Sequence, residues 1–113
     1  MSKECKVYFN DILGSISKVE EYTKGMDYAA FSKKSLVYDG VVRNLEIIGE
    51  AVKNIPADVK KKHPEIEWRK IAGLRDILIH EYSGVDLRIV WDVVVNKLPS
   101  LKESVKRIMK EIE

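Results

Sequence analysis

Apolar residues return every third or fourth position along most of the chain, the rhythm of α-helices that bury one face. Lys3 to Lys24 carries Tyr8, Ile12, Ile16 and Val19 on one stripe, with Cys5 and Phe9 beside it. TKGMD breaks the rhythm, and MDYAAF after it reads as a short helical turn. From Lys34 to Asn54, Val37, Val41, Leu45, Ile48, Val52 and Ile55 follow at steps of four and three. A second stripe, Leu36, Gly40, Ile47 and Ala51, makes this helix apolar on two sides, so it should touch more than one neighbour or a partner subunit.

Pro56 ends that segment, because proline cannot continue the hydrogen-bond ladder. ADVKKKHPEIE reads as a polar connection to a third helix from Glu65 to Tyr82, stopped by Ser83-Gly84. Asp86 is placed to cap a fourth helix. Its stripe runs Leu87, Trp91, Val94, Leu98, Leu101, Val105, Ile108 and Ile112, and continues across Pro99, where a kink is expected. No segment alternates as a strand would. The pattern predicts an all-α antiparallel bundle of four main helices, with residues 1–113 as a single helical domain.

With 113 residues, the chain has the length of one domain. Its composition, 45% hydrophobic and 34% charged, is that of a globular protein. No apolar run approaches the ~20 residues that cross a bilayer, and MSKECKVYFNDILGS does not read as a signal peptide. The single cysteine, Cys5, excludes an internal disulfide and a thiolate zinc site. A cytoplasmic location is the expectation. A net charge of +2 neither advertises nor forbids nucleic-acid binding, which depends on local patches.

Glu46 and Glu50 share a helix face, yet neither His63 nor His80 has the Glu three positions earlier that bundle metal sites use, so no metal is expected. Arg43 with Glu46, and Glu50 with Lys53, read as ion pairs within one helix. His63, among Lys60, Lys61, Lys62 and Pro64, reads as loop, or as part of a patch that holds a phosphate backbone. Trp68 and Trp91 read as core or interface residues. Neither a Gly-rich phosphate loop nor a nucleophile elbow occurs.

What remains is RDILIHEY, Arg75 to Tyr82. On a helix, His80 lies about 140° round from Arg75, Tyr82 within about 20° of Arg75, and Asp76 within about 40° of His80. One reading is an amphipathic surface helix with Asp76 and His80 paired. The other is a phosphate-handling set: a histidine that takes and returns protons and an arginine fork that holds phosphate oxygens. Two copies facing each other could enclose a cleft for RNA cleavage by the 2′-hydroxyl.

RDILIHEY matches the signature Arg, four to six residues, His, any residue, Tyr of the HEPN superfamily. More closely, the chain resembles the HepT-type toxins, which act with a minimal nucleotidyltransferase (MNT) antitoxin. VVRNLEIIGEAVKNIP and WRKIAGLRDILIHEYSGVDLRIVWDVV extend the resemblance over nearly the whole length. It implies a HEPN-like helical bundle that forms a homodimer or higher homo-oligomer, with the motifs lining a shared cleft. It implies a metal-independent ribonuclease without cofactor that acts on tRNA or mRNA, with Arg75 and His80 as catalytic residues. Tyr82 matches the tyrosine that the MNT antitoxin modifies by AMP transfer, silencing the toxin. Asp76 stands where many members have Asn; a carboxylate there would either repel RNA and make His80 a poorer base, or orient the imidazole. The alternative is a non-catalytic HEPN module that binds nucleotide, RNA or the nucleotidyltransferase.

Overall fold

The computed structural model describes residues 3–80 and 86–111, which fold as an all-α, HEPN-like bundle. Four long helical segments carry the packing: α1 (Lys3–Thr23), α3 (Ser35–Asn54), α5 (Trp68–His80) and the stretch from α6 (Leu87–Asp92) to α7 (Leu98–Glu111). Two short helices join them, α2 (Tyr28–Lys33) and α4 (Ala57–Lys62).

The apolar stripes become the core as expected. Phe9, Ile12, Ile16 and Val19 of α1 meet Val41, Leu45, Ile48 and Val52 of α3, and Leu101, Val105 and Ile108 of α7 close the cluster. α3 is the central element and packs on both α1 and α5, which accounts for its two apolar sides. Burying such side chains stabilises the fold by about 1.5–3 kcal/mol each. Leu36, from the second stripe, is the exception: it sits on the first turn of α3 and is 84% exposed.

Local signals set the ends. Gly25 takes a positive φ of 75° where the first helix stops, a conformation glycine adopts without strain. Asp27 caps α2, its carboxylate accepting the Ala30 N–H at 2.9 Å, so MDYAAF is a helix. Asp86 caps α6 in the same way through Arg88 N–H at 2.8 Å. Trp91 leans on Phe31, ring centroids 4.9 Å apart, and ties α6 to α2.

Three expectations need correction. ADVKKKHPEIE is not a plain polar connection, because Ala57–Lys62 forms α4. Pro56 precedes its first turn, Asp58 lies within that turn, and Val59 is buried beneath it. α5 consequently starts at Trp68, not Glu65. Its indole N–H donates to the carbonyls of Lys60 (3.2 Å) and His63 (3.0 Å), which fastens α4 to the start of α5. His63 is not plain loop either: it caps the end of α4, its side chain is only 15% exposed, and Nδ1 lies 3.4 Å from Glu65.

The disturbance expected at Pro99 takes a definite form. Val93–Lys97 is a π-helical turn, with Leu98 N–H bonded to the carbonyl of Val93 five residues back. Proline lacks an N–H and its ring crowds the carbonyl four residues earlier, and a wider turn relieves that conflict. The apolar stripe runs through it unbroken. No described helix is long and apolar enough to cross a membrane.

Candidate functional site

α5 carries Arg75 and His80 of the motif and is held by α3. Leu78 is its one fully buried side chain, while Ile71, Ala72 and Leu74 are partly covered. Ile77 and Ile79, which flank Leu78, stay 47% and 43% exposed. The helix therefore presents apolar and polar groups outward together.

Arg75 faces α3. A Cβ built on Gly49 would overlap the Arg75 Cβ, lie 3.0 Å from its Cγ and 3.3 Å from the Ile71 carbonyl oxygen, so the two helices touch here only because position 49 is glycine. Above that contact the guanidinium spans two carboxylates. Nη2 lies 2.9 Å from Glu50 on α3, and Nη1 lies 3.2 Å from Asp76 on α5. Lys53 Nζ reaches the same Asp76 oxygen at 3.5 Å. The Arg75 side chain is 24% exposed, against 54% for Glu50 and 51% for Asp76, so the arginine is the most sheltered member of the chain of charges.

These pairs differ from those expected. Arg43 does pair with Glu46, at 3.6 Å. Glu50 and Lys53, expected to pair with each other along α3, both reach across to α5 instead. The expected Asp76–His80 pair is likewise replaced, Asp76 turning to Arg75 and Lys53. Desolvation pushes the Asp76 carboxyl up, but Lys53 and Arg75 outweigh it and leave the group below its ordinary value. Asp76 is thus a charged partner of the arginine and does not orient His80 through an ion pair.

His80 ends α5 as described and is exposed. Five residues of helix put it about 7.5 Å along the axis from Arg75 and about 140° round it. One protomer therefore does not bring the two side chains together. Tyr82, the expected modification site, and the Ser83-Gly84 stop lie outside the described residues.

Gly49, Glu50 and Lys53 are the neighbours that pattern reading missed. An isolated glycine inside a helical rhythm marks a close approach, and IIGEAVK carries that signal at Gly49. The partners of Glu50 and Lys53 depend on how α3 and α5 are rotated against each other, which no spacing within either helix encodes.

A hollow of about 230 Å³ opens beside Arg75, between α1, α3 and α5. A second, of about 610 Å³, lies between α3, α5 and the π turn and α7; it is mainly apolar and neither Arg75 nor His80 lines it.

Comparison with known proteins places the sequence in a family. A profile described as "Ribonuclease HepT-like" matches residues 12–108. "Probable ribonuclease HepT" of Thermococcus cleftensis is 44% identical over 97% of this chain and the whole of its own length. A protein of Caldanaerobacter subterraneus subsp. tengcongensis named "Putative RNase" is 41% identical over 96% of this chain and 97% of its own. "Gamma-glutamylcyclotransferase and putative RNase" of Methanocaldococcus jannaschii is 45% identical over all 113 residues, and there the chain spans about half of the relative's length. No solved structure matches. The profile and the full-length relatives together show that the chain belongs to the HepT-like ribonuclease family.

Proposed function

We propose that this protein is the toxin of a toxin–antitoxin pair, a metal-independent ribonuclease whose site is a cleft between two copies of the chain. One observation carries the reading: Arg75 and His80 share the family's motif helix, yet diverge on it. A second copy set against α5 supplies what one protomer lacks. The half-exposed Ile77 and Ile79, which lie between the two motif residues, give such a contact apolar area to bury.

In that cleft the reaction is an internal transfer on RNA. The 2′-oxygen attacks the neighbouring phosphorus, giving up its proton to a His80 imidazole as the new P–O bond forms. Arg75 guanidinium groups hold the phosphorane oxygens. The bond to the 5′-oxygen breaks, and a proton from the second copy's His80 goes to that leaving group. The products are a 2′,3′-cyclic phosphate and a 5′-hydroxyl. AMP transferred to Tyr82 by a nucleotidyltransferase antitoxin would add negative charge and bulk beside the motif, and so exclude RNA. A cytoplasmic location accords with this role.

The test is incubation of the purified protein with total tRNA and mRNA in EDTA, beside His80→Ala and Arg75→Ala. The expected result is cutting by the wild type alone, with cyclic phosphate ends. Cutting at equal rate by both variants would overturn the catalytic assignment.

The second reading, a non-catalytic module that binds RNA, nucleotide or the nucleotidyltransferase, has one observation in its favour. Glu50 and Asp76 already occupy the Arg75 fork. It expects saturable RNA binding and no cleavage product, and intact mass separates it from a toxin already carrying AMP.

A further inference from the structure

The hollow beside Arg75 has a composition that fits a different part of the substrate from the phosphate. Its volume, about 230 Å³, falls below the ~300–1,000 Å³ of sites for drug-sized ligands, so it suits one ring system. Its apolar surface comes from Ile47 and Ala51 of α3 and Ile79 of α5, and the half-buried Tyr8 of α1 adds an aromatic ring. Among its lining side chains, three carboxylates (Asp11, Glu46 and Glu50) outnumber two guanidiniums (Arg43 and Arg75). That balance disfavours a phosphate inside the hollow and favours a neutral group rich in N–H donors.

An unstacked nucleobase meets these terms. Single-stranded RNA is read through bases splayed onto aromatic side chains and hydrogen-bonded at their edges. Glu50 is spent on Arg75, at 2.9 Å, whereas Glu46 meets Arg43 only at 3.6 Å, with Arg43 71% exposed. Glu46 and Asp11 are therefore the carboxylates available to a ligand. Asn54 donates its side-chain N–H to the Glu50 carbonyl at 3.0 Å, which leaves its amide oxygen as a further acceptor. Acceptors predominate, and guanine is the base that offers two neighbouring donors, N1–H and N2–H, to one carboxylate.

We propose that the hollow formed by Tyr8, Asp11, Glu46 and Asn54 beside Arg75 is a nucleobase subsite that selects guanine. This rests on the ribonuclease reading for its role, since a base held there leaves its own phosphate at the mouth of the hollow within reach of Arg75. The subsite then decides where in a single-stranded region the chain is cut.

Binding, not cleavage, tests it first. Guanosine, adenosine, cytidine and uridine 5′-monophosphates are titrated into the whole protein by calorimetry, with ribose 5-phosphate as the control for the phosphate alone. The expected result is guanosine monophosphate about tenfold tighter than the others. Glu46→Gln and Asp11→Asn, which keep size and lose charge, should lower that preference at unchanged melting temperature. Tyr8→Ala should weaken all four nucleotides alike. Equal binding of the four nucleotides and ribose 5-phosphate, or no binding of any, overturns the proposal. The two readings fail separately: guanine-selective binding without RNA cleavage, by protein whose intact mass shows no AMP, ends the ribonuclease reading and keeps the subsite, and cleavage without nucleotide preference does the reverse.

Discussion

Gly49 lies directly under Arg75, with no room for a Cβ between the α3 backbone and the stem of the arginine. The atoms in the way are the Arg75 Cβ and the Ile71 carbonyl, both fixed to α5, so neither can swing aside. Gly49→Ala should therefore push α5 off α3, at a cost of about 1–3 kcal/mol. Its melting temperature should fall by several degrees and its RNA cleavage by more than the loss of folded protein explains. Thermal melts beside cleavage rates normalised to folded fraction check this.

Glu50 aims the head of the same residue. Its side chain is half exposed, so losing the ion pair should change stability by less than ~1 kcal/mol. Positioning is a different matter, because misplacing a catalytic group by about 1 Å can cost on the order of 100-fold in rate. If Arg75 is the catalytic residue proposed above, Glu50→Gln should melt like the wild type while kcat drops roughly 10- to 100-fold with KM little changed, and Glu50→Asp should restore part of it. An unchanged kcat would show that Arg75 needs no such partner.

How far the chain could be read in advance follows from what each feature depends on. The four long segments were legible because Ile12, Ile16, Leu45, Ile48, Leu101 and Val105 repeat at helical spacing and do become core. Asp86 was legible as a cap because capping is local, whereas the cap at Asp27 came to light only in the structure. α4 was not, since its one buried residue, Val59, sits among lysines and leaves no stripe. Pro99 announced a disturbance but not that a π turn would absorb it. At the site, RDILIHEY identified the helix, while its ion pairs were misread because Glu50 and Lys53 turn toward another helix.

Leu78 anchors the motif helix, and its side chain is completely buried. Leu78→Ala should cost about 2–5 kcal/mol, a large share of the ~5–15 kcal/mol that holds a domain together. Urea unfolding should show a lower midpoint. If α5 is the weak link, amide exchange should rise along Trp68–His80 before it rises in α1.

Trp68 makes a smaller but more local contribution. Trp68→Phe keeps a half-buried ring and deletes the single indole N–H that is shared between the two carbonyls at the end of α4, a loss of ~1 kcal/mol. Faster amide exchange confined to Ala57–His63 is the expected signature; protection unchanged there would mean α4 is held by Val59 alone.

The Asp76 carboxyl should be visible in the acid limb of stability. Its native value lies below the ordinary one of 3.8, held there by Lys53 and Arg75 against desolvation. A depressed carboxyl contributes stability that is complete above its unfolded value and is lost as pH falls through the native value. Asp76→Asn should therefore melt below the wild type at pH 7 by a small margin, as befits an exposed group. The two curves should approach each other below about pH 4 and coincide once both native and unfolded carboxyls are protonated. A gap that persisted at pH 2 would mean that Asp76 supports α5 by hydrogen-bond geometry and not by charge, and the same would then hold for its grip on Arg75.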